Sequence, residues 1–452
     1  MNVSERRATA ALGSIFALRM LGLFMIVPVF AVYGQQYQGA TPALLGLAIG
    51  IYGLSQALMQ IPMSLLADRY NRKRLIALGL LVFGAGGAVA ALSTSIWGVI
   101  AGRALAGAGA ISAVAMALLA DVTREEQRTK AMAAMGMSIA LSFIVAFASG
   151  PILTHWVGLS GLFWITTGAA LLAIGLLAVV PTPERVLSHQ LIPYTQQLKA
   201  VLKLGDLNRL HGSIFMLHLV MTASFVLIPH LLLVQGWPVE QQGWVYLPLL
   251  LLGFVAAIPA IVLSETRKMM RQFFWVAIGL IGVAMGVLAA LYDQRWGLLL
   301  GVGLFFIGFN LLEALLPSWL AKKSPVSSKA TAMGINSSSQ FLGAFCGGVL
   351  GGQLLGLGHE AWSWAVLLGL VLVWALLVRA IQQPPYLSSL VVALPEHAVL
   401  QDWASAFYQV DAIEDVVVLP AENVAYLKVD KQRLDEASRQ KLSQILGYPV
   451  AI

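Results

Sequence analysis

Charge is what this sequence is short of. Lys, Arg, Asp and Glu make up 11% of its 452 residues and hydrophobic residues 59%, against about a quarter and about half in a soluble domain. Such a chain cannot cover itself with a polar surface, which excludes a water-soluble globular protein and leaves an integral membrane protein. Cysteine is nearly absent. Cys346 stands alone in an apolar run, so an intrachain disulfide and a cysteine-built metal site are both excluded. No Gly-x-x-x-x-Gly-Lys loop and no His-Glu-x-x-His pair occurs, so nucleotide phosphates and catalytic zinc lack their usual cradles. No enzyme activity, cofactor, bound metal or nucleic-acid partner is expected. Glycine, by contrast, is plentiful at 43 residues, and small residues let apolar helices approach closely in lipid.

What the sequence does have is long apolar runs. Crossing the hydrocarbon core takes about 20 apolar residues in a helix, and twelve runs meet that length: 10–33, 43–66, 75–95, 98–120, 131–153, 161–181, 210–233, 242–264, 273–292, 297–320, 330–354 and 361–382. Strand-like alternation is absent from them, and unpaired backbone groups are costly in lipid, so the runs predict a bundle of membrane helices. The first follows Arg6 and Arg7 and is too long for a signal-peptide core, which makes it an uncleaved span.

The few cations are distributed unevenly. One set of connections carries Arg6 and Arg7; Arg69, Arg72, Lys73 and Arg74; Arg124, Arg128 and Lys130; Arg185, Lys199, Lys203 and Arg209; Arg267, Lys268 and Arg271; Lys322, Lys323 and Lys329; and Arg379. The alternate set carries only Arg295. Positive loops stay inside, so this alternation predicts an even number of spans with both termini in the cytoplasm.

The longest connection, 182–209, separates an N-terminal half (1–181) from a C-terminal half (210–383), each with six spans. Its "YTQQLKAVLKL" has helical spacing with Leu198, Val201, Leu202 and Leu204 on one side, predicting an amphipathic helix at the inner surface. Two six-helix halves imply a substrate path at their interface near mid-membrane, opened to each side in turn.

The stretch "SLLADRYNRKR" resembles the signature loop between helices 2 and 3 of the major facilitator superfamily, Gly-x-Leu-x-Asp-Arg-x-Gly-Arg-Lys. Leu66, Asp68, Arg69, Arg72 and Lys73 match, and Ser64 and Asn71 replace the two glycines. Serine is still small, and asparagine is the non-glycine residue that best tolerates a left-handed turn. "FALRMLGLFMIVPV", "GIYGLSQALMQIP", "FNLLEALLPS" and "PPYLSSL" further resemble YajR-type bacterial transporters, which carry a small cytoplasmic domain after helix 12. The resemblance covers essentially the whole chain and implies a transporter of the bacterial inner membrane.

It also implies that the helix 2 to 3 loop is a latch between the halves on the cytoplasmic side. Asp68 ends a helix where cations are expected, so it gains from an outside partner such as the positive N-terminal end of another helix. Helix 11, opening near Ala330 and Thr331, is that partner in this reading, and Asp121 engages Arg72 or Arg69. The alternative is that these charges only set topology. In the second half, Glu265 with Arg267 and Lys268 stands as a degenerate copy of the motif.

Ionisable residues inside spans are costly and are functional candidates by default. Arg19 in helix 1 is expected to face the central cavity as a fixed positive charge. Arg103 opens "RALAGAGA", which resembles the family's helix 4 pattern Arg-x-x-Gln-Gly-x-Gly with Gly107 retained and Ala106 in place of glutamine; it either snorkels outward or faces the path. Glu313 in helix 10 is the candidate proton carrier, because apolar surroundings resist ionisation of a carboxyl. Asn310 shares its helix face. His218 in helix 7 is a proton-relay candidate.

Uncharged polar groups add Tyr52, Gln56 and Gln60 on helix 2, and Asn336 and Gln340 on helix 11, as cavity-lining candidates or helix–helix glue. Gly150 and Pro151 in helix 5 resemble the start of the family's antiporter motif, although its later glycine pair is missing. "GAFCGGVLGG" in helix 11 reads as close packing against a neighbour.

From about Ser388 the pattern changes. "SSLVVAL", "IEDVVVL" and "NVAYLKV" read as strands, and "HAVLQDWASAFYQ" and "RLDEASRQKLSQIL" as helices. The order β-α-β-β-α, with a last short strand at 448–452, predicts a ferredoxin-like α+β domain over 388–452. From Pro384 onward the net charge is −4, leaving +11 for the rest. Docking, ion sensing or a passive tethered domain are all compatible with that contrast. The function these features imply is a proton-coupled secondary transporter, of drug/H+ antiport type, moving a lipophilic or amphipathic small molecule within membrane lipid. A receptor signalling through the tail, or an uptake symporter of the same family, are the alternatives.

Overall fold

The computed structural model describes residues 1–182, 194–325, 328–384, 386, 388–394, 403–419, 423–430 and 433–448. The side chains of Asp68 and Arg69 lie outside the described set, as do His397 and residues 449–452 of the expected last strand.

The first apolar run folds as α1 (Val3–Phe24) and α2 (Val27–Tyr33), parted at Met25 and Ile26. Pro28 sits in the first turn of α2, where its missing N–H breaks no helical bond. There follow α3 (Pro42–Arg69), α4 (Arg72–Leu92), α5 (Ile96–Ala108), α6 (Ser112–Asp121) and α7 (Glu125–Leu177). A short α8 (Tyr194–Leu202) leads to α9 (Gly205–Val234), α10 (Val239–Thr266), α11 (Met270–Leu291), α12 (Arg295–Lys323), α13 (Lys329–Leu357) and α14 (Glu360–Val378).

Among the described residues, eleven helices are long and apolar enough to cross a membrane, where the sequence predicts twelve spans. The difference lies in α7, which runs through two of the predicted spans. Its backbone leaves the helical region at Gly158 (φ 68°, ψ 179°), a conformation essentially confined to glycine. Large apolar side chains such as Leu141, Val255, Leu372 and Leu377 are exposed. In water that would be an aggregation surface; against lipid it is the expected exterior.

The Lys- and Arg-bearing connections gather at one end of the bundle, the basic end, and are tied across elements. Arg72 pairs with Asp121, Arg124 with Glu5 at 2.9 Å, Lys322 with Glu265 and Lys323 with Asp206. Asn71 does not use the left-handed turn its sequence context allowed. Its backbone is extended (φ −62°, ψ 117°) and its side chain accepts from the Arg74 N–H at 3.2 Å. It is an N-cap, which serves the orphan N–H groups of α4 without any need for glycine.

The opposite end is closed by small residues. A Cβ on Gly46 of α3 would run into the Gly348 carbonyl of α13, and one on Gly352 would come within 2.8 Å of the Gly46 Cα. On another face of α13, Cβ atoms on Gly343 and Gly347 would strike the Phe215 and Leu219 carbonyls of α9. The helix 11 glycines therefore pack on two neighbours at once, allowing backbone contact that larger residues forbid.

After the bundle come β1 (Ser388–Ala393), α15 (Trp403–Phe407), β2 (Ile413–Leu419), β3 (Val424–Val429) and α16 (Glu436–Leu446). The strands form an antiparallel sheet in the order β1-β3-β2. Ala425, Leu427 and Val429 of β3 alternate inward and are buried with Val392, Trp403, Phe407 and Leu442. One face of the sheet is thus covered by helices, and Tyr426 and Lys428 lie on the other.

Candidate functional site

Helices α9, α12 and α13 bring together three polar residues that the sequence places over 120 positions. His218 Nδ1 faces the Ile214 carbonyl at 3.1 Å, one turn back in α9. That contact requires the proton on Nδ1, which leaves Nε2 as an acceptor. Gln340 of α13 places its amide nitrogen 2.8 Å from this Nε2, and the same nitrogen donates to Glu313 Oε1 of α12 at 3.3 Å. Glu313 Oε2 lies 3.7 Å from His218 Nε2. A carboxyl, an imidazole and an amide bridging them form one hydrogen-bonded unit across three helices. His218 is buried, whereas the Glu313 side chain is 39% exposed, so the unit has an open side.

Asn310 does not join it; its amide donates to Phe306 O of its own helix at 2.8 Å. An aromatic column does. The His218 ring stands edge-on to Phe309 with centroids 5.8 Å apart, and Phe309 stacks on Phe143 of α7 at 6.1 Å. Phe143 in turn contacts Phe24 of α1 at 4.9 Å. This chain of rings crosses from the second half to the first. Sequence reading missed it because a phenylalanine within an apolar span looks like any other packing residue.

Arg19 sits elsewhere than expected. It is 1% exposed and enclosed within the first half, not set on an open cavity. Its Nη2 donates to Tyr52 Oη at 2.8 Å, to Gln56 Oε1 at 2.5 Å and to Gly109 O at 3.3 Å, while Nη1 donates to Ser112 Oγ at 3.2 Å. The carbonyl of Gly109 is free to accept because the chain breaks there between α5 and α6. Arg103 does not snorkel outward. It is buried and bonds the Ala48 and Ile49 carbonyls of α3, the latter at 3.1 Å. The two guanidinium carbons lie 6.0 and 5.9 Å from the Tyr52 ring, within cation–π range. Removing an arginine that satisfies several buried acceptors leaves each of them unpaired, at about 1–3 kcal/mol apiece. Arg19→Leu is therefore expected to lower the melting temperature of the purified protein in detergent, measured by tryptophan fluorescence. An unchanged melting curve would show the cluster to be dispensable for stability.

The remaining residues read from sequence distribute as follows. Gln60 and Asn336 are buried; Gln60 Oε1 finds no hydrogen-bond partner among the described residues, and Asn336 lies beside the buried His211. A Cβ on Gly107 would strike the Tyr52 carbonyl, and one on Gly150 the Met25 carbonyl at the break between α1 and α2. Gly150 and the adjacent Pro151 thus hold α7 against that break. Ser64 is exposed near the end of α3. Arg72 also donates to Ala117 O at 3.2 Å, and Lys73 donates to Val180 O at 2.6 Å. Glu265 accepts from Ser318 Oγ at 2.8 Å as well as from Lys322. Glu5, unremarked in the sequence, is buried by its capping box with Asn2 and its pairing with Arg124. The pattern Asn-x-x-Glu before a helical run is the signal that marks it.

A bundle of long apolar helices with a few polar groups joined across them is the build of a membrane transporter, and the comparisons with known proteins agree. The chain belongs to the Major Facilitator Superfamily, whose profile matches residues 12–321. It is 43% identical to the inner membrane transport protein YajR of Escherichia coli K12, over 97% of this chain and 99% of that one. It is 36% identical to an uncharacterized transporter of Buchnera aphidicola, over 77% of this chain and 90% of its relative. Among solved structures, a bacterial homolog of the human lysosomal transporter Spinster, crystallised inward-facing and unoccupied, superposes with a TM-score of 0.67 at 15% identity. That superposition covers 83% of this chain and 96% of the other, a likeness of fold.

Proposed function

We propose that this protein is a proton-coupled exporter of lipophilic or amphipathic small molecules in a bacterial inner membrane, working by alternating access. In this reading the two limbs of α7 on either side of Gly158 are separate crossings, giving twelve spans in two six-helix halves. The basic end is then cytoplasmic, with both termini there. The tail is read as a ferredoxin-like domain built on the β1-α15-β2-β3-α16 order.

The observation that carries the proposal is the contact among His218, Gln340 and Glu313. With Glu313 ionised and His218 neutral, one amide nitrogen serves both acceptors. A proton arriving on His218 Nε2 turns that acceptor into a donor, so the Gln340 amide must rotate to present its oxygen. A proton on Glu313 Oε2 instead makes that oxygen a donor facing the imidazole and leaves Oε1 to accept from Gln340. Proton binding thereby changes how α13 is held against α9 and α12. The aromatic column beside it supplies a wall suited to an apolar solute, and the orphan oxygen of Gln60 on α3 adds an acceptor. An unbiased transport screen in proteoliposomes, with and without a proton gradient, tests the reading. Substrate counterflow separates a transporter from a receptor, which would show none.

At the cytoplasmic side, the turn between α3 and α4 is proposed as the latch. The ion pair between Arg72 and Asp121 and the Lys73 contact with Val180 O hold that turn rigidly within the first half, so that a partner on the second half is what would complete the latch. In this proposal Asp68 meets the N-terminus of α13, whose partial positive charge favours a carboxylate. Asp68→Asn is expected to reduce the transport rate while leaving membrane insertion unchanged, as judged by membrane-fraction yield. Wild-type transport in that variant would remove the latch.

A further inference from the structure

We infer that the open face of the C-terminal sheet is a docking surface for the carbonyl end of α12, and that the segment joining bundle to tail clamps the α10–α11 loop beneath it.

A helix ends with carbonyls that have no intrahelical partner and carry partial negative charge. Ser324 caps α12, and its carbonyl accepts from Lys428 Nζ at 2.7 Å. Lys428 belongs to the face of β3 that α15 and α16 leave uncovered, since Ala425, Leu427 and Val429 take the covered face. The lysine therefore projects from the side of the domain that its own helices do not need.

The joining segment makes the second set of contacts. Gln383 accepts from the Arg271 N–H at 2.9 Å, donates to the Lys268 carbonyl, and lies 3.2 Å from Tyr386 Oη. Tyr386 Oη donates to Ser264 O at 3.3 Å. Its ring sits 4.4 Å from Lys322 Nζ and 5.8 Å from Lys268 Nζ, within cation–π range. Lys268 has φ +55°, which a lysine holds only where its surroundings impose it. The loop that contains it is the second-half counterpart of the turn at Asn71, yet it has no side-chain cap at the start of α11. Gln383 and Tyr386 supply from outside the loop what Asn71 supplies from within the first. The tail from Pro384 carries −4 against +11 for the rest, so long-range attraction reinforces the dock and weakens as salt rises. The C-terminal domain consequently rides on the second half, and its release frees the α10–α11 loop.

The test uses the full chain with Cys346→Ser, carrying Pro325→Cys, beside the docked carbonyl and partly exposed, and Val391→Cys, on the same open face as Lys428. A short bifunctional maleimide applied to membranes at low salt is expected to cross-link this pair readily, more slowly in high salt, and more slowly again with Lys428→Glu. The control pair, Pro325→Cys with Gln440→Cys on the helix-covered side, is expected to react poorly. Equal rates for the two pairs would overturn the docking surface. For the clamp, Tyr386→Ala is expected to accelerate amide exchange across 266–270 by about tenfold, the equivalent of about 1.4 kcal/mol, with Tyr386→Phe retaining most of the protection. Exchange unchanged in Tyr386→Ala would overturn it.

Discussion

Glu313→Gln is expected to abolish proton-driven transport while leaving the protein folded and inserted. The amide is nearly isosteric with the carboxyl, so Oε1 still accepts from Gln340 and packing is undisturbed; the expected stability change is within about 0.5 kcal/mol. What is lost is the ability to hold and release a proton. Gradient-driven movement should fall to background, while counterflow, which requires no net proton turnover, should persist. Proton flux at the wild-type level in Glu313→Gln would rule this residue out as carrier. Retained flux with a loss in His218→Gln would transfer the role to the imidazole. The pairing of the two side chains makes both variants necessary, because interacting sites titrate as a unit.

The second large effect is expected at the glycine seam between α3 and α13. Gly46→Leu places a branched side chain where even a single Cβ meets the Gly348 carbonyl. Overpacking of this kind costs about 1–3 kcal/mol. If the helices can separate at that end, the strain shifts the equilibrium toward the state open there by about 10- to 100-fold. In a Cys346→Ser background, a cysteine at Asn336 should then react with a membrane-impermeant maleimide added from the side opposite the basic end, and should react slowly without the leucine. Equal labelling in the two proteins would mean that the seam is no gate. Failure to insert would mean that the contact is needed for assembly, and Gly46→Ala provides the milder comparison.

The parts of this molecule that were legible in its sequence are those governed by local sums. The helical spans follow from the transfer free energies of about 20 consecutive side chains. The gathering of Arg72, Arg124, Lys322 and Lys323 at one end follows from the same additive bookkeeping applied to charge. The βαββα order of the tail follows from the change of period at Ser388. Local rules also name a residue without assigning its task. Asn71 was identifiable as a replacement for glycine, but only the backbone shows that it caps α4 and does not turn left-handed. Gly158 sits in the short gap between two spans, and its non-helical φ and ψ, inside what is otherwise one helix, were not deducible from composition.

Arg19, Glu313, His218, Tyr52, Gln56 and Gln340 were each conspicuous as polar residues in apolar runs, because such residues are costly there and need partners. Which partner each one has could not be read from the sequence. Arg19 joins Tyr52 and Gln56 inside the first half, 33 and 37 positions away; Glu313 meets Gln340 at 27 and, through it, His218 at 122. Burial cost is a property of one side chain and its immediate neighbours in the chain, so the sequence alone determined that these residues had to be satisfied. Satisfaction is a matter of geometry between helices that are distant in sequence, so only the tertiary packing decided which arginine would be enclosed, which carboxyl would keep an open side, and where the tail would rest.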